Sequence, residues 1–258
     1  MRLLLLFIPL NVFAASAFDT NHRAWDKILH AQVRVTGSVT TFNYKAVKSD
    51  PKGLENYLKS VGDVSFSELQ KWGEKDRLAF LINAYNAFTV KLIVDNYPVK
   101  SINDLGSPTE SPWKKKFFKL FGETTYLDHI EHDLIRAKFS EPRIHFAVVC
   151  ASKGCPSLRN EAYTARKLEE QLEAGAKSFL NDRGRNRYDP ARNKLFLSKI
   201  FDWYGDDFKK KDGSVQNFVA PRMGKTSDEQ TKIKSATLEW NDYDWSLNET
   251  VGEFSASQ

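Results

Sequence analysis

Apolar residues recur at helical spacing through most of the chain, and their pattern lays out the elements in order. Residues 21–33 place Trp25, Ile28, Leu29 and Val33 on one helical face. Val39, Phe42 and Tyr44 read as an extended piece. Asp50-Pro51 opens a second helix carrying Leu54, Tyr57 and Leu58, because proline is at home in a first helical turn. Ser65 starts a short helix that runs to Trp72. Residues 74–96 form the longest helical pattern, apolar nearly all round, which predicts burial. Tyr97-Pro98 ends it.

Two aromatic-rich arms around Gly122-Glu123 predict a hairpin over 115–127. The next stretch, LDHIEHDLIRAKF, is helical in pattern. Asp128 stands at its N-cap and Glu131 three residues later, approximating a capping box. Residues 143–150 (RIHFAVVC) are apolar enough to read as a buried strand, followed by a loop, ASKGCPSL. An amphipathic helix is expected over 164–180, a second hairpin over 187–198 around Asp189-Pro190, and helices near 199–204, 214–220 and 227–236. There is no internal repeat and no linker between two domains. The pattern predicts a single α+β domain over 18–258, with several helices packed on a small, mostly antiparallel sheet.

The first seventeen residues, MRLLLLFIPLNVFAASA, differ in kind. Arg2 precedes a short apolar stretch, and Ala15-Ser16-Ala17 has the small-x-small form of a cleavage site. A signal peptide cut after Ala17 is expected. Pro9 and Asn11 interrupt the stretch, which is too short for a membrane span of about 20 residues. No later apolar run is read as a span, so the expectation is a soluble, exported protein, periplasmic or extracellular.

Composition narrows the classes. Hydrophobic residues make up 41%, charged residues 28% and aromatics 13%, which excludes collagen-like and bulk-disordered chains and supplies a substantial core. Two cysteines exclude a disulfide-dense scaffold and a four-thiol zinc site. The net charge is +5, densest at Lys114–Lys116 and Lys209–Lys211. Neither run comes with a nucleic-acid-binding signature, so a solvated face is the reading and no nucleic-acid partner is expected. A lipid headgroup or an anionic polymer stays open.

The candidate chemistry lies in residues 145–159, HFAVVCASKGCPSLR. A strand running into Ser152, Gly154 and Cys155, with Pro156 opening a turn or helix, would expose a thiol at a helix N-terminus and lower its pKa. His145 is the candidate base and His132 its alternative, with Glu131 as the orienting carboxylate. Asn86 or a main-chain amide would hold an oxyanion. Asn83, Asn86 and Ser152 are the substrate-binding candidates. Against this, Cys150 ends an apolar run, His145 could be a core histidine, and an exported protein could join Cys150 to Cys155. A metal held by His129 and His132 with Cys150, Cys155 or His145 is a weaker alternative, and calcium at Asp202, Asp206 and Asp207 weaker still. No cofactor is expected. Asn83, Tyr85 and Asn86, inside the most apolar helix, read better as core locks than as cleft residues. Phe201, Trp203, Tyr204, Tyr243 and Trp245 read as core anchors rather than a sugar platform.

Five segments occur together and in order: NAYNAFTV (83–90), SIND (101–104), LDHIEHDLIR (127–136), RIHFAVVCASKGCPSLR (143–159) and YDWSLN (243–248). Jointly they resemble the family catalogued as domain of unknown function 547, over nearly all of the chain after Ala17 and with a core of about 72–204. The resemblance implies one α+β domain and no agreed activity. It marks Asn83, Asn86, Glu131, His145, Cys150 and Cys155. Two functions are carried forward. One is a thiol-dependent hydrolase or transferase acting on amide or peptide-like substrates, its partner a small-molecule or peptide-like substrate. The other is a non-catalytic exported module that binds a ligand or partner and has a structural Cys150/Cys155 pair.

Overall fold

The computed structural model describes residues 17–251. The signal-peptide expectation over 1–17 lies almost wholly outside them. The chain opens with α1 (Arg23–Gln32), the hairpin β1 (Val33–Thr36) and β2 (Val39–Phe42), then α2 (Tyr44–Ser49), α3 (Lys52–Asp63) and α4 (Phe66–Leu69). The long α5 (Glu74–Asn96) follows, then the hairpin β3 (Phe118–Leu120) and β4 (Glu123–Thr125). A π-helix at His129–Arg136 and a 3-10 helix at Pro142–Phe146 lead through irregular chain to α6 (Leu168–Asn181). The last part holds β5 (Arg187–Asp189), β6 (Lys194–Leu197), α7 (Ile200–Trp203), α8 (Gly205–Asp212), α9 (Val215–Met223), α10 (Ser227–Lys234) and β7 (Thr237–Trp240).

The fold is α+β, as the pattern predicts, but among the described residues the strands are divided among three small sheets. Two are hairpins. The third pairs β5 with β6 antiparallel and β6 with β7 in parallel, and β7 was not anticipated.

Helix α5 is the axis of the larger core. It is buried continuously from Leu78 to Val90, and α2, α3 and the π-helix pack around it. By length and composition α5 could cross a membrane, contrary to the expectation of no such run, but 89% of its apolar stretch is buried inside the protein. A second core lies under α6–α9, where Phe146, Phe179, Phe201, Phe208 and Phe218 meet at centroid separations of 4.8–6.3 Å. Phe146 belongs to this second core, while Ile144 and Ala147 belong to the first.

That placement corrects the reading of 143–150 as a strand. Pro142 starts a 3-10 helix, and the chain from Ala147 to Cys150 is irregular. The run is apolar because it passes between two cores, and apolar periodicity alone cannot separate that case from a strand. Such a segment still needs partners for its main chain, since an unpaired buried amide costs about 1–3 kcal/mol. The partners come from α5. Asn86 donates from Nδ2 to Ala147 O (2.9 Å) and accepts at Oδ1 from Val149 N (2.9 Å). One turn earlier, Asn83 does the same for Tyr163, at 2.7 and 3.0 Å.

Three further differences are local. Tyr44 lies in α2 instead of an extended piece. Asp128 has helical backbone angles and makes no capping bond among the described residues, so the expected capping box is absent. Helix α8, beginning at Gly205, was not read from the pattern.

Asn86→Ala strips partners from two buried main-chain groups. It is expected to lower unfolding free energy by about 2–4 kcal/mol. Urea unfolding followed by circular dichroism measures this, and a loss under 1 kcal/mol would contradict the role given to this side chain.

Candidate functional site

Between the two cores opens a cleft of about 220 Å³. Its floor is Tyr85 from α5 and Glu131 from the π-helix, with Asp128 one turn away. Its walls are Trp113, Trp203, Tyr204, Tyr243 and Trp245. Cys150, Cys155, Pro156 and His145 complete it.

The aromatic residues form one cluster. Trp203 lies 4.9 Å from Tyr243 and stacks on Trp245 at 5.7 Å, and Trp113 meets Trp245 edge-on at 5.8 Å. Trp203 is 47% exposed, so it is no core anchor. Of the five aromatics read as core anchors, only Phe201 is fully buried in that way; the others line the cleft. Spacing along the chain could not show this, because Trp113, Trp203 and Trp245 come from three distant segments.

The two sulfurs are bonded to each other, with a Cα–Cα distance of 6.1 Å. Closing so short a loop contributes about 2 kcal/mol in the chain-entropy account. No helix follows Pro156, so the expected helix-dipole effect on Cys155 is absent. Cys155 is 4% exposed, its sulfur takes the Cys150 amide at 2.8 Å, and in this state it presents no thiol. Ser152, a substrate-binding candidate, is buried, and its hydroxyl donates to the Tyr243 hydroxyl at 3.2 Å. The loop is held from outside by the last described segment. Lys153 N donates to Ser246 O, Gly154 N to Asp244 O and Asn248 N to Ala151 O, at 2.8–2.9 Å. A Cβ on Gly154 would stand 2.9 Å from the Tyr243 ring, so only glycine fits there.

His145 is buried and stacks on Tyr204 at 3.9 Å. Its orienting carboxylate is Asp207, at 2.7 Å from Nε2, and not Glu131. Asp207 also accepts two bonds from Arg136, at 2.7 and 3.1 Å. Burial works against its charge, but the bonds from His145 and Arg136 outweigh that and hold the carboxyl well below the usual range. Burial pushes the His145 imidazole below its ordinary value, against the pull of the Asp207 hydrogen bond. The neutral ring therefore donates from Nε2 to Asp207. Its Nδ1 is left as an acceptor that has no partner among the described residues. Asp207 was read only as a weak calcium candidate; nothing in its local sequence ties it to a histidine 62 residues away.

Glu131 is 4% exposed and lines the cleft together with Tyr85 and Tyr204. Burial and that negative neighbour push both phenols well above their ordinary value. His132, the alternative base, does not line the cleft, and its Nδ1 accepts from Arg136 at 2.7 Å. His129 pairs with Asp133 at 2.8 Å. Among the described residues no three His, Cys, Asp or Glu side chains gather as a metal-holding group, so the His129/His132 and Asp202/Asp206/Asp207 alternatives do not converge. Asn83 and Asn86 spend their amides on main-chain groups and do not line the cleft.

Residues 69–180 match the family described as "Protein of unknown function, DUF547", and this segment is a DUF547 domain. It carries Tyr85, Asp128, Glu131, His145 and both cysteines. The match is shorter than the resemblance suggested, and Trp203, Tyr204, Asp207, Tyr243 and Trp245 lie beyond it. No curated protein and no solved structure matches the chain.

Two outcomes are expected. Alkylation of the unfolded, unreduced protein adds no label by mass, and prior reduction adds two. A labelled unreduced protein would contradict the bridge. Stability falls as pH drops through the ordinary imidazole value of 6.5, because the unfolded chain takes up a proton that folded His145 resists. His145→Gln makes the decline between pH 7 and 5 shallower in urea-unfolding series. Burial pushes His22 down to about 4, so that residue supplies the part that remains.

Proposed function

We propose that the protein is an exported, soluble ligand-binding module. Its ligand is a small molecule held in the aromatic-walled cleft, and its cysteine pair is structural. The observation that carries this reading is the joining of Cys150 to Cys155 in the wall of a cleft whose other walls are tryptophan and tyrosine. Aromatic side chains offer apolar area at little entropic cost, and a few convergent polar groups then orient the ligand. Glu131, Asp128 and His145 supply those groups. The C-terminal segment and the disulfide hold the 150–155 loop in place before a ligand arrives, so little ordering cost falls on binding.

A second reading, a thiol-dependent hydrolase or transferase for amide or peptide-like substrates, is favoured by one observation. A buried imidazole paired with Asp207 lines the same cleft as the sulfurs. It requires a dithiol reductant to open the bridge and release the Cys155 thiolate.

Tryptophan fluorescence of the full chain, titrated with organic ammonium ions, saccharides and simple amides, tests the first reading. At least one class is expected to shift the emission saturably, and Trp203→Ala to weaken that binding about tenfold or more. No saturable shift with any class would overturn it. Amide cleavage that appears only with dithiothreitol and disappears in Cys155→Ser would establish the second reading instead.

A further inference from the structure

The lining of the cleft carries charge of one sign. Glu131 and Asp128 face it, while among the described residues no lysine or arginine side chain lines it. The nearest guanidinium, Arg136, is engaged in its two bonds to Asp207. Lys114 acts on Asp128 and Arg136 on Glu131 from outside the lining, so the lining itself holds carboxylates and no cation. Tyr85 and Tyr204 line the same cleft beside Glu131, and its negative charge acts on both phenols. The buried His145 adds an acceptor, its Nδ1, with no partner among the described residues.

Around these acceptors stand the faces and edges of Trp113, Trp203, Tyr243 and Trp245. Aromatic faces attract cations, and the attraction grows when water is excluded. A volume of about 220 Å³ falls below the range of about 300–1,000 Å³ typical of drug-sized ligands. The ligand therefore has few heavy atoms.

We infer that the cleft takes a small organic ammonium ion, its charge set against Glu131 and its carbon body against the tryptophan and tyrosine rings. This rests on the reading of the cleft as a ligand-binding site. A neutral sugar could use the same rings, but it would leave the one-sided charge of the floor unanswered.

Choline and its uncharged isostere 3,3-dimethyl-1-butanol separate the contribution of charge from that of shape. Cellobiose supplies the saccharide arm. Calorimetry and tryptophan fluorescence on the unreduced full chain are expected to show choline binding at least tenfold tighter than the alcohol, and cellobiose weaker than either. Glu131→Gln is expected to cut choline affinity about tenfold and leave that of the alcohol unchanged. The wild-type comparison stands even if that variant folds poorly. Equal affinity for choline and the alcohol, or cellobiose binding without choline, would overturn the ammonium assignment and leave the cleft a binding site. Silence from all three probes overturns the ammonium assignment. Silence across the whole panel of amines, saccharides and amides overturns the binding reading with it.

Discussion

The site depends on two asparagine side chains in an otherwise apolar helix. Asn83 and Asn86 stand one turn apart on α5, and each gives one donor and one acceptor to irregular main chain. A segment without regular secondary structure can pass through a low-dielectric interior only if its amides find partners. These two side chains supply them at Ala147, Val149 and Tyr163. The segment between those contacts carries both cysteines, Ser152 and Pro156, so the cleft wall is positioned from inside by α5.

From outside the same wall is held by residues 243–248. Their main chain bonds to Ala151, Lys153 and Gly154, and their side chains Tyr243 and Trp245 turn into the cleft. One segment thus braces the loop and contributes aromatic surface. The disulfide closes the short loop between these two sets of contacts. The loop is thus fixed on both faces.

The polar groups divide into two sets with different work. Arg136, Asp207 and His145 satisfy one another: a half-buried charged pair beside a buried, neutral imidazole, where the aromatic core of α6–α9 meets the cleft. Glu131 belongs to neither pair. It lines the cleft beside Tyr85 and Tyr204. The functional potential of the floor follows from that asymmetry.

Much of the helical framework was readable from residue spacing. The apolar stretch 74–96 became α5 over the same residues, and the hairpin around Gly122-Glu123 formed as expected. Local pattern suffices there because each element's buried face or turn is written within a few residues. It failed at 143–150, where an apolar run between two cores resembles a strand, and at Asp128, where a capping pattern met a π-helix instead.

By itself the sequence determined an α+β chain with a buried central helix and the identity of the polar residues placed near one another along it, Glu131, His145, Cys150 and Cys155. Tertiary structure decided which of them meet. It joined the two sulfurs, gave His145 to Asp207 rather than to Glu131, and drew Trp113, Trp203 and Trp245 into one cleft. Those pairings depend on how distant segments pack across two cores, and contacts made at long sequence separation leave no period for a local pattern to reveal.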